Sequence, residues 1–250
     1  MRNLGTLNHW HHRLVAFFIA IALWSGTNAQ NRVHLGLGFN QSYARLDSLN
    51  YVLNAFNAEN SWTSEKALHE IHMPAGLTAH IGGDFKGVLV DFHYTMRIAS
   101  SKAKGALGGG SFESQIAQVR YNASSFDLGL GIFAIRKARF RMAIGQSLDF
   151  GSVRIGGRRG ITPQVTSQIY GRYINELNFA TTSFLHFMIA FGDGVSPGIF
   201  IRPYFQLSLR KNDYQPLNHA FRPQASLLDS QFILGKQTNF GIKIGVYLGS

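Results

Sequence analysis

Six stretches of this chain alternate apolar residues with polar or very small ones at a period of two, two more do so less regularly, and few folds accept that pattern so many times. The last stretch, "NFGIKIGVYLGS", puts Phe240, Ile242, Ile244, Val246 and Leu248 on one side and Gly241, Lys243, Gly245 and Tyr247 on the other. "VHLGLGFN" sets Val33, Leu35, Leu37 and Phe39 against His34, Gly36, Gly38 and Asn40. "GLTAHIGG" sets Leu77, Ala79 and Ile81 against Thr78, His80 and Gly82, and "VLVDFHYTMR" sets Val88, Val90, Phe92, Tyr94 and Met96 against Asp91, His93, Thr95 and Arg97. "RFRMAIGQSLDF" carries Met142, Ile144, Leu148 and Phe150 opposite Arg139, Arg141, Ser147 and Asp149. "IFIRPYFQLS" carries Ile199, Ile201, Phe205 and Leu207 opposite Arg202, Tyr204, Gln206 and Ser208. Successive side chains of a strand point to opposite faces, so each stretch reads as a strand with one apolar face. The 27 glycines and 20 phenylalanines suit strands and turns better than helices.

The remaining two strands are less regular. "IAQVRYNASSFDLGLGIF" has Val119 and Tyr121 on odd positions, then Phe126, Leu128, Leu130 and Ile132 on even ones. That change of parity predicts a β-bulge at Ala123 to Ser125. "NFATTSFLHFMIAF" is apolar on both sides, with Leu185, Phe187 and Ile189 taken as the outer set.

Long and short connections alternate. Long ones fall at about 43–72, 98–114, 152–176 and 209–237; short ones fall at Asp84 to Lys86, around Arg136 and Lys137, and at "GDGVSP". In an up-and-down sheet this puts every long connection at one end. Transmembrane barrels show that asymmetry, together with an even strand number and an apolar exterior. Closure also satisfies every backbone group within lipid.

Residues 1–29 read as a cleaved signal peptide. Arg2 and Arg13 flank a polar start, "LVAFFIAIALW" is an apolar run of eleven, and Thr27 and Ala29 are small. The run is too short for a membrane helix. Removing it lowers the net charge from +11 to +9, because it holds two arginines and no acid. The absence of cysteine excludes disulfides and thiolate chemistry. Export argues against nucleic acid as the partner of a basic chain, which leaves anionic lipid or another anionic surface.

The signal peptide, the eight strands and the terminal "NFGIKIGVYLGS" resemble the small eight-stranded outer-membrane β-barrels, such as the OmpA transmembrane domain and OmpX. The resemblance covers about 33–248. It implies an all-β, antiparallel up-and-down transmembrane barrel over 30–250, located in the outer membrane of a Gram-negative bacterium. It also implies a C-terminal strand read by the barrel-assembly machinery through Gly241, Ile244, Val246 and Leu248, although this chain ends in Gly249 and Ser250 rather than an aromatic residue.

Lys243 on the lipid face would cost roughly 2–4 kcal/mol near the midplane, so it is expected inside. The same parity sends Asp91, Arg97, Arg139, Arg141, Asp149 and Arg202 inward, to form a paired polar network in a bore just wide enough for side chains. "RIGGRRG" (Arg154, Arg158, Arg159) is expected in an outer loop, where it could bind lipopolysaccharide phosphates, with Lys102, Lys104, Arg210, Lys211 and Arg222 extending the patch. "RLDSLNYVLNAF" predicts a short helix in the first long connection, with Leu46, Leu49, Leu53 and Phe56 on one stripe.

"HEIH" (His69 to His72) lacks the four-residue histidine spacing of a zinc helix. His186 with Ser183 and His219 with Ser226 are the candidate base–nucleophile pairs for a lipid A-modifying hydrolase or acyltransferase, and no local signature supports either. The sequence therefore points to a non-enzymatic structural or surface-binding barrel without a cofactor. Its loops would engage lipopolysaccharide or a protein partner, as in envelope assembly or secretion. Two other readings stay open: the lipid A enzyme, and a soluble periplasmic carrier in which the faces reverse and apolar residues line a ligand cup.

Overall fold

A computed structural model describes residues 31–106, 114–162, 164, 170–224 and 233–249. Eight antiparallel strands close into a barrel in sequence order: β1 (Asn31–Arg45), β2 (Ala75–Phe85), β3 (Val88–Ala106), β4 (Ser114–Arg136), β5 (Phe140–Ile161), β6 (Gly171–Ala190), β7 (Ser196–Asp213) and β8 (Leu234–Gly249). β8 pairs with β1 from His34↔Gly249 to Arg45↔Thr238, so no edge is left unpaired. Residues 1–29, expected to be a signal peptide, and Ser226 lie outside the described residues. No helix among the described residues is long and apolar enough to cross a membrane.

Period two becomes inside and outside. Phe92 is 37% exposed and Ile244 45%, whereas Asp91, Arg202 and Lys243 are buried in the bore. Leu185 and Ile189 face out, and Phe184, His186 and Met188 face in. The ligand-cup reading needs the reverse and fails on this point. An outer wall of Leu35, Leu37, Leu77, Leu128, Leu130, Ile132 and Val246 is stable in hydrocarbon, not in water. At its upper edge, in-register rings form an aromatic girdle. Tyr94, Phe126, Phe150 and Phe179 are consecutive partners across β3 to β6, and Phe205, Phe240 and Tyr43 form a second in-register run across β7, β8 and β1. Such girdles mark the membrane–water interface.

The hairpin between β2 and β3 turns on Lys86 and Gly87, with φ of 56° and 98°. Two positive-φ residues give the turn whose twist matches the flanking strands, and a glycine relieves one of them.

Three sequence expectations are corrected. The parity of β4 does not slip at Ala123 to Ser125. Odd positions stay inward throughout, the β3–β4 register runs unbroken from Val88↔Ile132 to Ala106↔Ser114, and the irregularity on the β5 side lies between Phe133 and Ile135. What changes is the filling of the bore, from polar below to apolar above, so Val119 and Tyr121 are buried apolar residues of the inner face. Second, much of the predicted loop is strand. β4 has 23 residues, about 75 Å of chain at ~3.3 Å per residue, where ~9–11 tilted residues suffice to span a bilayer. The ladder continues above lipid because its walls still enclose a core. Third, Arg139 lies in the turn before β5, exposed and 3.7 Å from Asp193, because the inward ladder begins only at Arg141.

The core above the bilayer is built around the expected helix, α1 (Asp47–Glu59). Leu49, Val52, Leu53 and Phe56 recur at helical spacing and are buried against Val119, Tyr121, Val153 and Ile155 of the strands and Leu217 and Phe221 of a second short helix, α2 (Gln215–Phe221). Asn50 and Asn57 fasten the returning segment, since their side chains accept the Ile71 and Leu68 amides at 2.9 Å each.

Candidate functional site

The bore is occupied from end to end. Near the lower mouth, Arg136 binds Asp84 at 3.0 Å and Arg141 faces Tyr247. Above lies a pairing of Arg202 with Asp91; the guanidinium also covers the Phe184 ring, 3.5 Å from its centroid. The next layer pairs Lys243 Nζ with Asp127 Oδ2 at 2.6 Å. Above it, Asp149 accepts from Thr182, from Ser147 at 2.9 Å and from Gln206 Nε2 at 2.5 Å, while Arg97 donates to Gln206 Oε1 at 3.2 Å. Tyr121, Gln237 and Tyr214 form the last polar link beneath the apolar plug. Of the seven residues expected in this network, Asp91, Arg97, Arg141, Asp149, Arg202 and Lys243 lie inside and Arg139 does not. Opposite charges meet at short distance because a bore of eight strands has no room to hydrate them. A cavity of about 10 Å³ between Arg97, Asp127, Gln206 and Lys243 holds one water at most.

One group of inner residues escaped the sequence reading. His34, His80, His93 and His186 converge in the lower bore, with ring centroids 5.0 Å apart for His80–His93, 5.2 Å for His34–His80 and 6.0 Å for His34–His186. Glycines make the space: a Cβ on Gly36 would fall 2.2 Å from the His80 ring and one on Gly82 2.7 Å from the His34 ring. The turn at Lys86 and Gly87 already dictates that His80 faces His93, which was the available signal. Nothing local brings in His34 and His186 from β1 and β6.

The outer wall above the girdle is basic. Ascending β1 and β3 to β6, the first charged outward residue is Arg45, Lys102, Arg120, Arg154 and Arg172 in turn; on β7 it is Arg210 with Lys211, and on β8 Lys236. Arg154 stands four residues beyond Phe150, about 13 Å along the strand and about 10 Å along the axis at a tilt near 40°. That is the depth of lipid headgroups. Arg154, Arg158 and Arg159 are thus on β5 and not in a loop, a correction with a consequence for their roles. Arg158 covers the Tyr170 ring at 4.7 Å and binds Gln118, and Arg159 donates to the Phe221 carbonyl at 3.0 Å over the Phe56 ring. Arg222 is buried and binds Glu59 at 2.8 Å. Of "RIGGRRG", Arg154 is the residue presented outward, one outward position below Arg120 and Arg172, which both pair with Gly156 from the neighbouring strands.

His186 and Ser183 do not assemble, and the His219 pair rests on Ser226, which lies outside the described residues. His186 points into the bore and Ser183 out of it. In "HEIH", His72 binds Glu70 at 2.5 Å and stacks on Tyr43, while His69 meets Ser101. The Asn54 and His72 hydrogen bonds hold the Glu70 carboxyl below its usual range.

No family model and no curated protein matches the chain. Among solved structures it is similar to Ail, the attachment invasion locus protein of Yersinia pestis, in complex with the heparin analogue sucrose octasulfate. The identity is 7% over 88% of this chain and 99% of that one, with a TM-score of 0.42. It is also similar to Neisserial surface protein A, at 6% identity over 88% of this chain and 97% of that one, TM-score 0.42.

Proposed function

We propose that this protein is a non-enzymatic surface barrel of the outer membrane whose basic collar binds the phosphate-bearing headgroups of lipopolysaccharide, and whose plugged outer end is the face offered to a protein partner. The observation that carries this reading is the position of the collar. On seven strands the first outward charge above the apolar wall is a cation; Arg154 on β5 stands about one headgroup depth above the aromatic girdle, and Arg120 and Arg172 flank the next outward position of β5, Gly156, from β4 and β6. Arginine forks bind phosphate bidentately, and such bonds strengthen where water is partly excluded. Removal of residues 1–29 at export and recognition of β8 by the assembly machinery belong to the same reading. The intact mass of protein purified from outer membranes tests the cleavage after Ala29.

The collar is tested by replacing Arg120, Arg154 and Arg172 together with glutamate. The folded native barrel is expected to unfold at a higher temperature in vesicles containing lipid A than in neutral phosphatidylcholine vesicles. The triple variant is expected to lose that difference while keeping its stability in neutral lipid. Equal stabilisation of both proteins by lipid A removes the collar from the proposal.

A further inference from the structure

We propose that the lower bore holds a binding site for one divalent transition-metal ion, with Asp91, His93 and His186 as its ligands and His80 and His34 completing the imidazole wall around it. One donor atom from each of the three residues lies within 4.8 Å of the other two, and this is the sole such cluster among the described residues. All three side chains are fully buried, so they are no loose surface grouping. Tetrahedral ligands at bonds near 2.0–2.1 Å stand about 3.4 Å apart, so closing on an ion asks for side-chain movements of about an ångström.

A second observation points to a ligand independently. Seven of the eight ring nitrogens in the layer have no hydrogen-bond partner among the described residues: both of His34, His80 and His186, and Nδ1 of His93. Buried polar atoms are nearly always satisfied, and so many orphaned nitrogens facing one spot call for a shared partner. Asp91 is also half committed. Its Oδ2 is held by Arg202, and its Oδ1 has no partner. Hydrophobic packing could have filled this layer without polar atoms, as Met188 and Phe200 do beside it.

The donor set decides the class of metal. Two imidazoles and one carboxylate, with more imidazole nearby and no thiolate, suit zinc, nickel, copper or cobalt and not calcium or magnesium, which demand oxygen. Arg202, whose Nη1 lies 2.7 Å from His93 Nε2, places a positive charge beside the site. It limits affinity and orients the carboxylate as an outer partner does. The apolar plug seals the upper end, so the ion enters from the lower, periplasmic mouth.

The test uses the full mature barrel folded in detergent, stripped with chelator and titrated with Co²⁺ and Zn²⁺. The expected result is one equivalent bound per barrel, with a Co²⁺ visible spectrum of four- or five-coordinate intensity. The surface control H69Q/H72Q keeps this binding and H93Q/H186Q weakens it at least tenfold, both folded by the usual heat-dependent gel shift. No saturable binding, an octahedral aquo-type spectrum, or binding lost in H69Q/H72Q overturns the proposal. If H93Q/H186Q does not fold, Cu²⁺ bound to the H69Q/H72Q protein decides by electron paramagnetic resonance. Coupling to two or more imidazole nitrogens supports the site and its absence overturns it.

Discussion

Lys243 shows how one residue depends on the closure of the whole ring. Its cross-strand neighbours, Arg202 and Asn40, offer no anion; across the closed barrel it reaches Asp127 on β4, half the circumference away in sequence order. Removing one member of a buried pair strands the other. Lys243→Met is therefore expected to cost about 3–5 kcal/mol, and the double change K243M/D127L to recover most of that, because an apolar pair of similar volume needs no desolvation. Urea unfolding in lipid vesicles measures both. Glu70 gives a residue-scale pH effect. Its carboxylate is stabilised by Asn54 and His72, so that clamp contributes above the unfolded-state value and is lost as pH falls through the depressed folded one. Limited proteolysis of the 60–74 segment is expected to speed up on acidification, and a Glu70→Gln variant to show little of that pH dependence.

At the scale of the element, α1 is a helix because its apolar residues recur every three or four positions, and it is stable because the upper strands supply a surface for that stripe. Phe56 packs edge-on against Phe221 at 5.4 Å and Trp62 at 5.9 Å. Phe56→Ala is expected to destabilise the plug by about 3–5 kcal/mol. Hydrogen exchange should locate the loss in α1 and α2 and leave the girdle strands protected. β4 gives the converse case. Its lower half keeps polar side chains inward and its upper half apolar ones, so a single strand carries two opposite amphipathic patterns with no bulge where one gives way to the other.

For the molecule as a whole, two seals lie in series, the charged bore and the apolar plug. Planar bilayers carrying the folded protein are therefore expected to show no stepwise ion conductance, and regular unitary steps would mean that the bore opens. The sequence by itself determined the strand number, the inside and outside of each regular strand, the α1 stripe and the inward course of Lys243, Arg202 and Asp91. All of these follow from local periodicity and from the cost of exposing charge to lipid. Tertiary structure alone decided the rest. The parity of β4 could not be read because the surroundings of its inner face change from charged to apolar with height. The reach of the strands above lipid was hidden because small and polar residues there look like loop. Arg139, Arg158 and Arg159 took partners that periodicity does not name. The four histidines were each legible as inward residues, but their meeting is set by the stagger of a closed cylinder, which places distant strands side by side and appears in no single segment.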